Sequence, residues 1–364
     1  MKLLFLTDTP IPSNRASAVH LRNLIPALAQ KFDKIDVLTT KGKIGVWPSL
    51  PNNVKFQTIQ LPNLKGGLLW MTISFRKLAR PLSPTIIYSR FIFVPWIAGK
   101  RPYIIELHDA PWNKGFLFNR AIRKALAQKN CLGFTCITKA IKDDFQKTFP
   151  KAIKEIQVIA DASNPAPSQY KPSFTEKKRL NIAYVGSFFP GKGVELVLLL
   201  AEKVPEHDFT IIGGSMDEIK KLEERKISDN IKLLGYIDHD LLWQKMEDID
   251  ICLLPNQPNV YTGKKSNIGS YTSPMKLFEY MAFSKPIIAS DLQVLKEVLD
   301  TEIALLVDHK DLDRWAFAIR QLANKEVRQS MGENACRRLE SNFTWSHRAE
   351  HILNFILRNH NEPS

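Results

Sequence analysis

The chain has 364 residues, 44% of them hydrophobic and 24% charged, which is enough for about two globular domains. No apolar run reaches the ~18 residues that a membrane-spanning helix needs, and the N-terminal MKLLFLTDTP favours a buried strand over a signal peptide. The net charge is +14, and the first half carries all of the excess: residues 1–170 hold 25 Lys+Arg and 9 Asp+Glu, whereas residues 171–364 hold 26 and 28.

Short apolar runs alternate with segments of helical period along the chain. These runs predict buried strands, and they are KLLFLT, YIIEL, CLGFTCI, NIAYVG, FTIIGG, IDICLLP, PIIASD and IALLV. Helix-like segments such as AVHLRNLIPALAQKF and GVELVLLLAEKV lie between them. Strands that alternate with helices predict crossover connections and parallel sheets.

The domain organisation follows from one interruption of this pattern. Residues 161–179 are rich in proline, serine and charge, which predicts a linker. We therefore expect an α/β protein with two doubly wound, Rossmann-like domains facing a cleft. The N-terminal domain should span residues 1–165 and the C-terminal domain residues 166–346, with a last helix, residues 347–364, that returns to the N-terminal domain.

The loop GSFFPGKG joins a predicted strand to a predicted helix and contains Lys192. Its glycines, Gly186, Gly191 and Gly193, would let backbone amides approach a phosphate, and a helix N-terminus favours an anion. The spacing matches neither the dinucleotide-binding fingerprint nor a P-loop. From these residues alone, both a phosphate site and an ordinary strand-to-helix turn stay open.

The segment SPMKLFEYMA, residues 273–282, predicts a helix start with two charges in unexpected places. Ser273 suits the N-cap and Pro274 the first helical position. Lys276 then lies in the first turn, where the helix dipole disfavours a cation, and Glu279 lies among apolar residues. A bound phosphate would offset Lys276 and sugar hydroxyls would satisfy Glu279. The alternative is an amphipathic helix whose lysine and glutamate face water.

Taken together, these blocks resemble glycosyltransferase family 4, a family of retaining, group 1 glycosyltransferases with the GT-B architecture. The blocks that carry the resemblance are KLLFLTDTPIPSNRASAVHLRNLIPALAQ, YIIELHDAPW, CITKAIKDDF, VIADAS, GSFFPGKG, LLGYIDHDLLWQKMEDIDICLLP, SPMKLFEYMAFSKPIIASD and TEIALLVDHKDLDRWAFAI. They span nearly the whole chain in the order of the family. The SPxKLFEYMA form of the donor motif is typical of a subgroup.

The resemblance implies that the C-terminal half binds a UDP- or GDP-sugar. Lys192 corresponds to the lysine that contacts the diphosphate, and Glu279 to the glutamate that holds the ribose. Gly186 corresponds to a position where backbone meets the donor, and Tyr236 lies near the base. The remaining donor positions are Ala16, near the diphosphate, and the helix start that cradles the distal phosphate, Ser273, Pro274 and Met275.

Two positions depart from the family pattern. The first glutamate of its paired motif corresponds to Tyr271, which leaves the sugar undefined, and the arginine after the first loop glycine corresponds to Ser187. We predict that Lys276 supplies the missing cation, because it projects from the same phosphate-binding turn. With Lys192, it would act in catalysis.

On the N-terminal side, the resemblance places a third catalytic candidate, His108, near the transferred sugar and the acceptor. Further acceptor-side candidates are Arg15, Arg90 and Asp109. Each of these has an ordinary alternative: a satisfied core histidine for His108, a surface ion pair for Arg90, and a turn cap for Asp109.

The function that the resemblance implies is a retaining, hexosyltransferase-type transfer from a nucleotide-diphosphate sugar to a glycan or lipid-linked acceptor. Fixed cations and amides would stabilise the leaving phosphate without a metal ion or a permanently bound cofactor. The DID sequence at 248–250 leads into a predicted strand and is not expected to bind metal. Two alternatives stay open: a nucleotide-sugar epimerase or hydrolase of the same fold, and a non-catalytic nucleotide-sugar-binding protein.

The basic first half predicts either an anionic partner or a solvated basic surface. LLWMTISFRKLARPL and FLFNRAIRKALAQK mix aromatic, apolar and basic residues, as do segments that lie on anionic membranes, although such helices can also simply pack on the core. The four cysteines match no metal or redox spacing and predict free thiols in the cytoplasm. We therefore expect a cytoplasmic protein with peripheral contact at a membrane face. No nucleic-acid partner is expected, since no recognition module is present in the sequence.

Overall fold

The chain folds into two α/β units. The computed structural model describes residues 1–13, 15–43, 49–61, 66–238, 241–261, 267 and 269–361. Unit 1 combines Met1–Ala160 with the C-terminal segment that begins at Trp345, and unit 2 comprises Asp161–Thr344. Residues 362–364 of the predicted last helix lie outside the described residues.

Unit 1 is built on a parallel sheet of seven strands in the order β3-β2-β1-β4-β5-β6-β7. The strands are β1 (Lys2–Ile11), β2 (Lys34–Lys41), β3 (Val54–Ile59), β4 (Ile86–Ser89), β5 (Tyr103–Leu107), β6 (Cys131–Cys136) and β7 (Ile156–Val158). Its helices are α1 (Ala16–Ala29), α2 (Gly67–Ala79), α3 (Phe116–Ala127), α4 (Lys139–Thr148) and α11 (Trp345–Asn361). The central strands are apolar on both faces because helices cover both sides of such a sheet.

Unit 2 is built on a second parallel sheet, with six strands in the order β10-β9-β8-β11-β12-β13. The strands are β8 (Asn181–Val185), β9 (Asp208–Ile212), β10 (Ile231–Gly235), β11 (Ile251–Leu254), β12 (Ile287–Ser290) and β13 (Ala304–Val307). Its helices are α5 (Val194–Lys203), α6 (Met216–Glu223), α7 (Leu242–Met246), α8 (Met275–Ala282), α9 (Leu312–Gln321) and α10 (Lys325–Asn342). The predicted class, two doubly wound parallel sheets, is confirmed.

The strand order reverses once in each sheet, between β1 and β4 in unit 1 and between β8 and β11 in unit 2. At such a point the loops leave neighbouring strands in opposite directions and open a crevice for ligands. Each unit therefore has one expected site, at the carboxyl ends of these strands. No helix in the described part of the chain has the length and hydropathy needed to cross a membrane.

Helix α11 is fastened to unit 1 by one buried arginine. The Arg348 guanidinium donates to the backbone carbonyls of Ile159 and Ala160 and to the carboxylate of Glu106 on β5. Arg348 and Glu106 are each 2% exposed. Removal of one partner of such a pair leaves the other charge buried and uncompensated.

We expect Arg348→Met to lower the free energy of unfolding by about 3–5 kcal/mol, measured by urea denaturation. The matched control is Arg358→Met on the same helix, because the Arg358 pair with Glu155 is exposed and should contribute less than about 1 kcal/mol. Equal losses in the two variants would contradict this assignment.

Candidate functional site

Helix α8 is fixed to the ends of two strands by Tyr280. The Tyr280 hydroxyl accepts a hydrogen bond from the Val185 amide at 3.0 Å and donates to the Leu253 carbonyl at 3.4 Å. It thus ties α8 to β8 and β11, the two strands between which the order reverses. Lys276 lies one turn earlier on the same face of α8. Its side chain consequently reaches the loop after β8.

The Lys276 ammonium is held in an unusual environment. Its Nζ lies 4.1 Å from the centre of the Tyr184 ring, and a Cβ on Gly186 would lie 3.3 Å from it. This Nζ is hidden from solvent and has no hydrogen-bond partner among the described residues. Burial and the neighbouring Lys192 cation lower the pKa of Lys276 well below its usual value, while Glu279 acts in the opposite direction. The alternative in which this lysine faces water is therefore wrong.

Lys192 is a second confined cation in the same unit. It precedes α5, which begins at Val194 after the cap Gly193, and burial lowers the pKa of its ammonium to about 8. An anion at this position would reverse the shift, since opposite charge favours the protonated form. The Lys192 charge reaches Lys276 and helps to lower its pKa, so the two lysines form a cationic corner of unit 2.

The loop glycines have a packing reason as well. A Cβ on Gly191 would lie 1.9 Å from the Asn259 carbonyl, and one on Gly193 would lie 2.0 Å from the Pro255 carbonyl. The segment after β11 thus passes too close for any side chain. The glycines by themselves therefore do not indicate a phosphate site, and the case for one rests on Lys192 and Lys276.

The backbone after β8 is fixed from within. The Tyr184 hydroxyl donates to the Ser187 carbonyl at 2.7 Å, and a Cβ on Gly213 would lie 2.0 Å from the Gly186 carbonyl. Tyr184 therefore links the position of the missing arginine, Ser187, to the lysine above its ring. Three candidate residues predicted from the sequence, Gly186, Ser187 and Lys276, thus lie together in the structure.

The other donor candidates occupy the same unit. Glu279 follows Lys276 on α8 and is half-buried, and Tyr271 is half-buried in a short 3-10 helix, Gly269–Tyr271. Tyr236 follows β10 and is 57% exposed. The predicted cap was wrong: Pro274, with an extended backbone, occupies the N-cap of α8, so Ser273 lies one residue outside it. Met275 begins the helix, and Lys276 is in its first turn as predicted.

Unit 1 contains a pocket of about 370 Å³ at the corresponding strand ends. It brings together the predicted acceptor-side residues Arg15, Arg90, His108 and Asp109. The exposed Ala16 begins α1 between Arg15 and Ser17, which line the pocket. Asp109 forms an ion pair with Lys114 at 2.5 Å.

The floor of this pocket is a network around the buried carboxylate of Glu106. One oxygen lies 3.4 Å from His108 Nε2 and 3.7 Å from Arg90 Nε. Burial by itself raises the pKa of Glu106, but His108, Arg348 and Arg90 outweigh it, so that the pKa lies well below its usual value. The ring of His20 stands edge-on to that of His108, with centroids 5.1 Å apart. His108 is thereby held by its neighbours while one face of the residue lines the pocket.

Three ligand-type side chains in this network, His20, Glu106 and His108, have ligand atoms within 4.8 Å of one another. The surrounding charges disfavour a divalent cation there. Arg348 and Arg90 already neutralise the carboxylate, and Arg90 Nη1 lies 3.2 Å from His20 Nδ1. In unit 2, Asp250 of the DID sequence accepts hydrogen bonds from Lys177 and from the Asn181 amide, and β11 begins at the next residue, as the predicted strand requires.

Sequence reasoning missed three residues of the two sites: Glu106, Tyr184 and Tyr280. Glu106 was visible as the one charge in the apolar run YIIEL. The two tyrosines gave no signal of this kind, because they are ordinary core residues until the fold places their hydroxyls at strand ends.

Comparisons with known proteins agree with this geometry. Residues 167–338, which lie in unit 2 and make up just under half of the chain, match the family model "Glycosyl transferases group 1". An uncharacterized glycosyltransferase of Methanocaldococcus jannaschii is 23% identical over 257 residues, which cover 66% of this chain and 62% of that protein. The chain thus spans about three fifths of the length of this curated relative.

Solved structures match nearly the full chain. Sucrose-phosphate synthase from Thermosynechococcus elongatus superposes with a TM-score of 0.74 at 17% identity, over 98% of both chains. Anabaena HepE in complex with UDP gives a TM-score of 0.74 at 16% identity, over 98% of this chain and 100% of that one. The fold is therefore GT-B, the architecture of a large class of glycosyltransferases.

We expect Lys276→Met to stabilise the protein in the absence of ligand. A lysine whose pKa is depressed in the folded state destabilises the protein at all pH values below its usual pKa, and methionine fills similar space without that cost. The melting temperature should rise by a few degrees, roughly the effect of 1 kcal/mol. An unchanged or lower melting temperature would show that the ammonium is satisfied where it lies.

Proposed function

We propose that the chain is a glycosyltransferase that moves a sugar, of hexosyl type, from a nucleotide-diphosphate sugar to a glycan or lipid-linked acceptor. The observation that carries this proposal is the Lys276 ammonium, which is buried without a hydrogen-bond partner in the described structure and lies against Tyr184 and Gly186. A diphosphate would supply the missing acceptor oxygens. The family-model match of unit 2 and a similar solved structure, Anabaena HepE in complex with UDP-glucose, support the choice of ligand.

The donor diphosphate would bind between Lys276, Lys192 and the amide-rich starts of α5 and α8. Negative charge grows on the leaving phosphate as the sugar departs, and fixed cations and free helix amides stabilise it without reorganisation. Lys276 would replace the cation missing at Ser187. This set of groups needs no metal ion. Retention, with attack and departure on one face of the sugar, rests on the sequence resemblance.

The remaining donor contacts are proposed by the same resemblance. Glu279 would hold the ribose, and Tyr236 would lie near the base of the UDP- or GDP-sugar. Tyr271 would meet the sugar. Ser273, Pro274 and Met275 would cradle the distal phosphate, and Ala16 would approach the diphosphate.

The acceptor would bind in the pocket of unit 1. His108 would contact the transferred sugar or the acceptor hydroxyl, with Glu106 holding its ring. Arg15 and Arg90 add cations to the same pocket, and Asp109 is held by Lys114. The pocket thus combines an oriented imidazole with groups that bind polar or anionic acceptors.

Calorimetric titration with UDP tests the donor site. We expect Lys276→Met to weaken UDP binding about 10- to 100-fold, the effect of one lost charge-assisted hydrogen bond. Lys232→Met is the matched control, because Lys232 is an exposed lysine on β10 of the same unit. Equal UDP affinity in the wild-type protein and in Lys276→Met would refute the donor site.

The affinity for UDP should also fall as pH rises. The pKa of Lys192 is about 8 in the free protein, and a bound diphosphate raises it, so that binding is strongest below this pKa and weakens above it. Between about pH 7.5 and about pH 9 we expect a loss of roughly tenfold, since about nine tenths of the free Lys192 is then neutral. Lys192→Arg should remove the part of this dependence that comes from Lys192, because a guanidinium stays charged, and leave the part that comes from Lys276, whose pKa is also lowered. A flat profile in the wild-type protein would contradict the role of Lys192.

The alternative functions give different products. Free sugar or an epimer formed without any acceptor would identify a hydrolase or an epimerase. UDP binding with no turnover of any nucleotide sugar would identify a non-catalytic binding protein.

A further inference from the structure

Five exposed apolar side chains lie on two helices of unit 1 and form what we term the apolar rim. Leu69 is 68% exposed, Trp70 37%, Ile73 59%, Phe116 76% and Leu117 57%. The first three belong to α2 and the last two to α3. Their neighbours Leu68 and Phe118 both line the unit 1 pocket, so each half of the rim adjoins a residue of this pocket.

The pocket itself is apolar on the side that joins the rim. Its lining includes three phenylalanines that contact one another in turn, Phe91, Phe93 and Phe118. The ring centroids of Phe91 and Phe93 are 5.5 Å apart, and so are those of Phe93 and Phe118. Arg90 and His108 are part of the polar lining. The cavity therefore suits a ligand with a polar head and an apolar continuation towards the rim.

Cations continue both halves of the rim. On α2 and its C-cap, Arg80, residues 69, 73, 76 and 80 follow one helical face, which runs from apolar side chains to Arg76 and Arg80. On α3, residues 116, 120 and 123 do the same, ending at Arg120 and Arg123, and all four arginines are exposed. Neither helix contains an acidic residue, and residues 37–105 contain ten Lys+Arg and no Asp or Glu.

We propose that the apolar rim is the surface by which the protein docks on an anionic lipid membrane. The rim side chains enter the boundary between headgroups and acyl chains, and the cations beside them meet the lipid phosphates. Exposed apolar side chains on two helices that carry cations and no acidic residues are typical of an interaction surface, and an anionic membrane matches both properties. If the proposed function holds, the acceptor is an amphiphile of that membrane, with its head at His108 and its apolar part along Phe93 and Phe118.

The test is flotation of the full chain with vesicles of phosphatidylcholine, with and without phosphatidylglycerol, at low and high salt. We expect binding only to the vesicles with phosphatidylglycerol, weakened by salt because the attraction between charges is screened. The double variant Leu69→Ser/Phe116→Ser should lower the vesicle partition constant at least about tenfold, because two inserted apolar side chains are lost. The matched control is Leu199→Ser/Phe317→Ser, two side chains of unit 2 that are 50% and 57% exposed.

Equal loss in the rim and control variants, or no binding of the wild-type protein to either vesicle, would overturn the docking surface. UDP titration of the same proteins separates this inference from the proposed function. Normal UDP binding without vesicle binding would refute the docking surface and leave the proposed function standing. Vesicle binding without UDP binding removes the proposed transfer and leaves the docking surface in place.

Discussion

The burial of one ammonium group is the constraint on which the proposed donor site of unit 2 depends. Lys276 is held by α8, whose position is set by Tyr280 at the ends of β8 and β11, and its Nζ lies over the ring of Tyr184. A ring face offers a cation only part of the stabilisation that water gives. The scaffold thus keeps a cation out of water at the point where two parallel strands open a crevice. That arrangement costs stability unless an anion completes it, which is typical of ligand sites.

Unit 1 also buries a charge at the equivalent strand ends, but there the charge is paired with arginines of the fold. The Glu106 carboxylate is fully enclosed, yet Arg348 and Arg90 neutralise it within the fold. Its charge fastens α11 and orients His108. The two units therefore differ: arginines of the fold neutralise the buried carboxylate in unit 1, whereas the buried Lys276 ammonium has no hydrogen-bond partner among the described residues of unit 2, and we propose that a ligand supplies one. This contrast supports an assignment of the diphosphate to unit 2 and of the acceptor to unit 1.

Much of this could be predicted from the sequence. All eight apolar runs named as strands are strands, because parallel strands covered on both faces leave continuous apolar runs. Strands β2, β3, β7 and β10 were not named because polar residues interrupt their runs, and β4, which is as short as β11, β12 and β13, was not named either. Lys276 was singled out because a first-turn lysine conflicts with the helix dipole, and its place in the first turn of α8 is confirmed. Glu106 was missed because its partner, Arg348, lies 242 residues away in the chain. The N-cap was placed one residue early because Ser273 and Pro274 both suit a helix start.

The most direct measurement of the central claim is a crystal structure of the chain with UDP. The account predicts a diphosphate oxygen about 2.7–2.9 Å from Lys276 Nζ, the distance of a charge-assisted hydrogen bond, beside the Gly186 backbone. A structure in which UDP is bound elsewhere, or is bound while Lys276 Nζ still lies against Tyr184 without a phosphate oxygen, would contradict it.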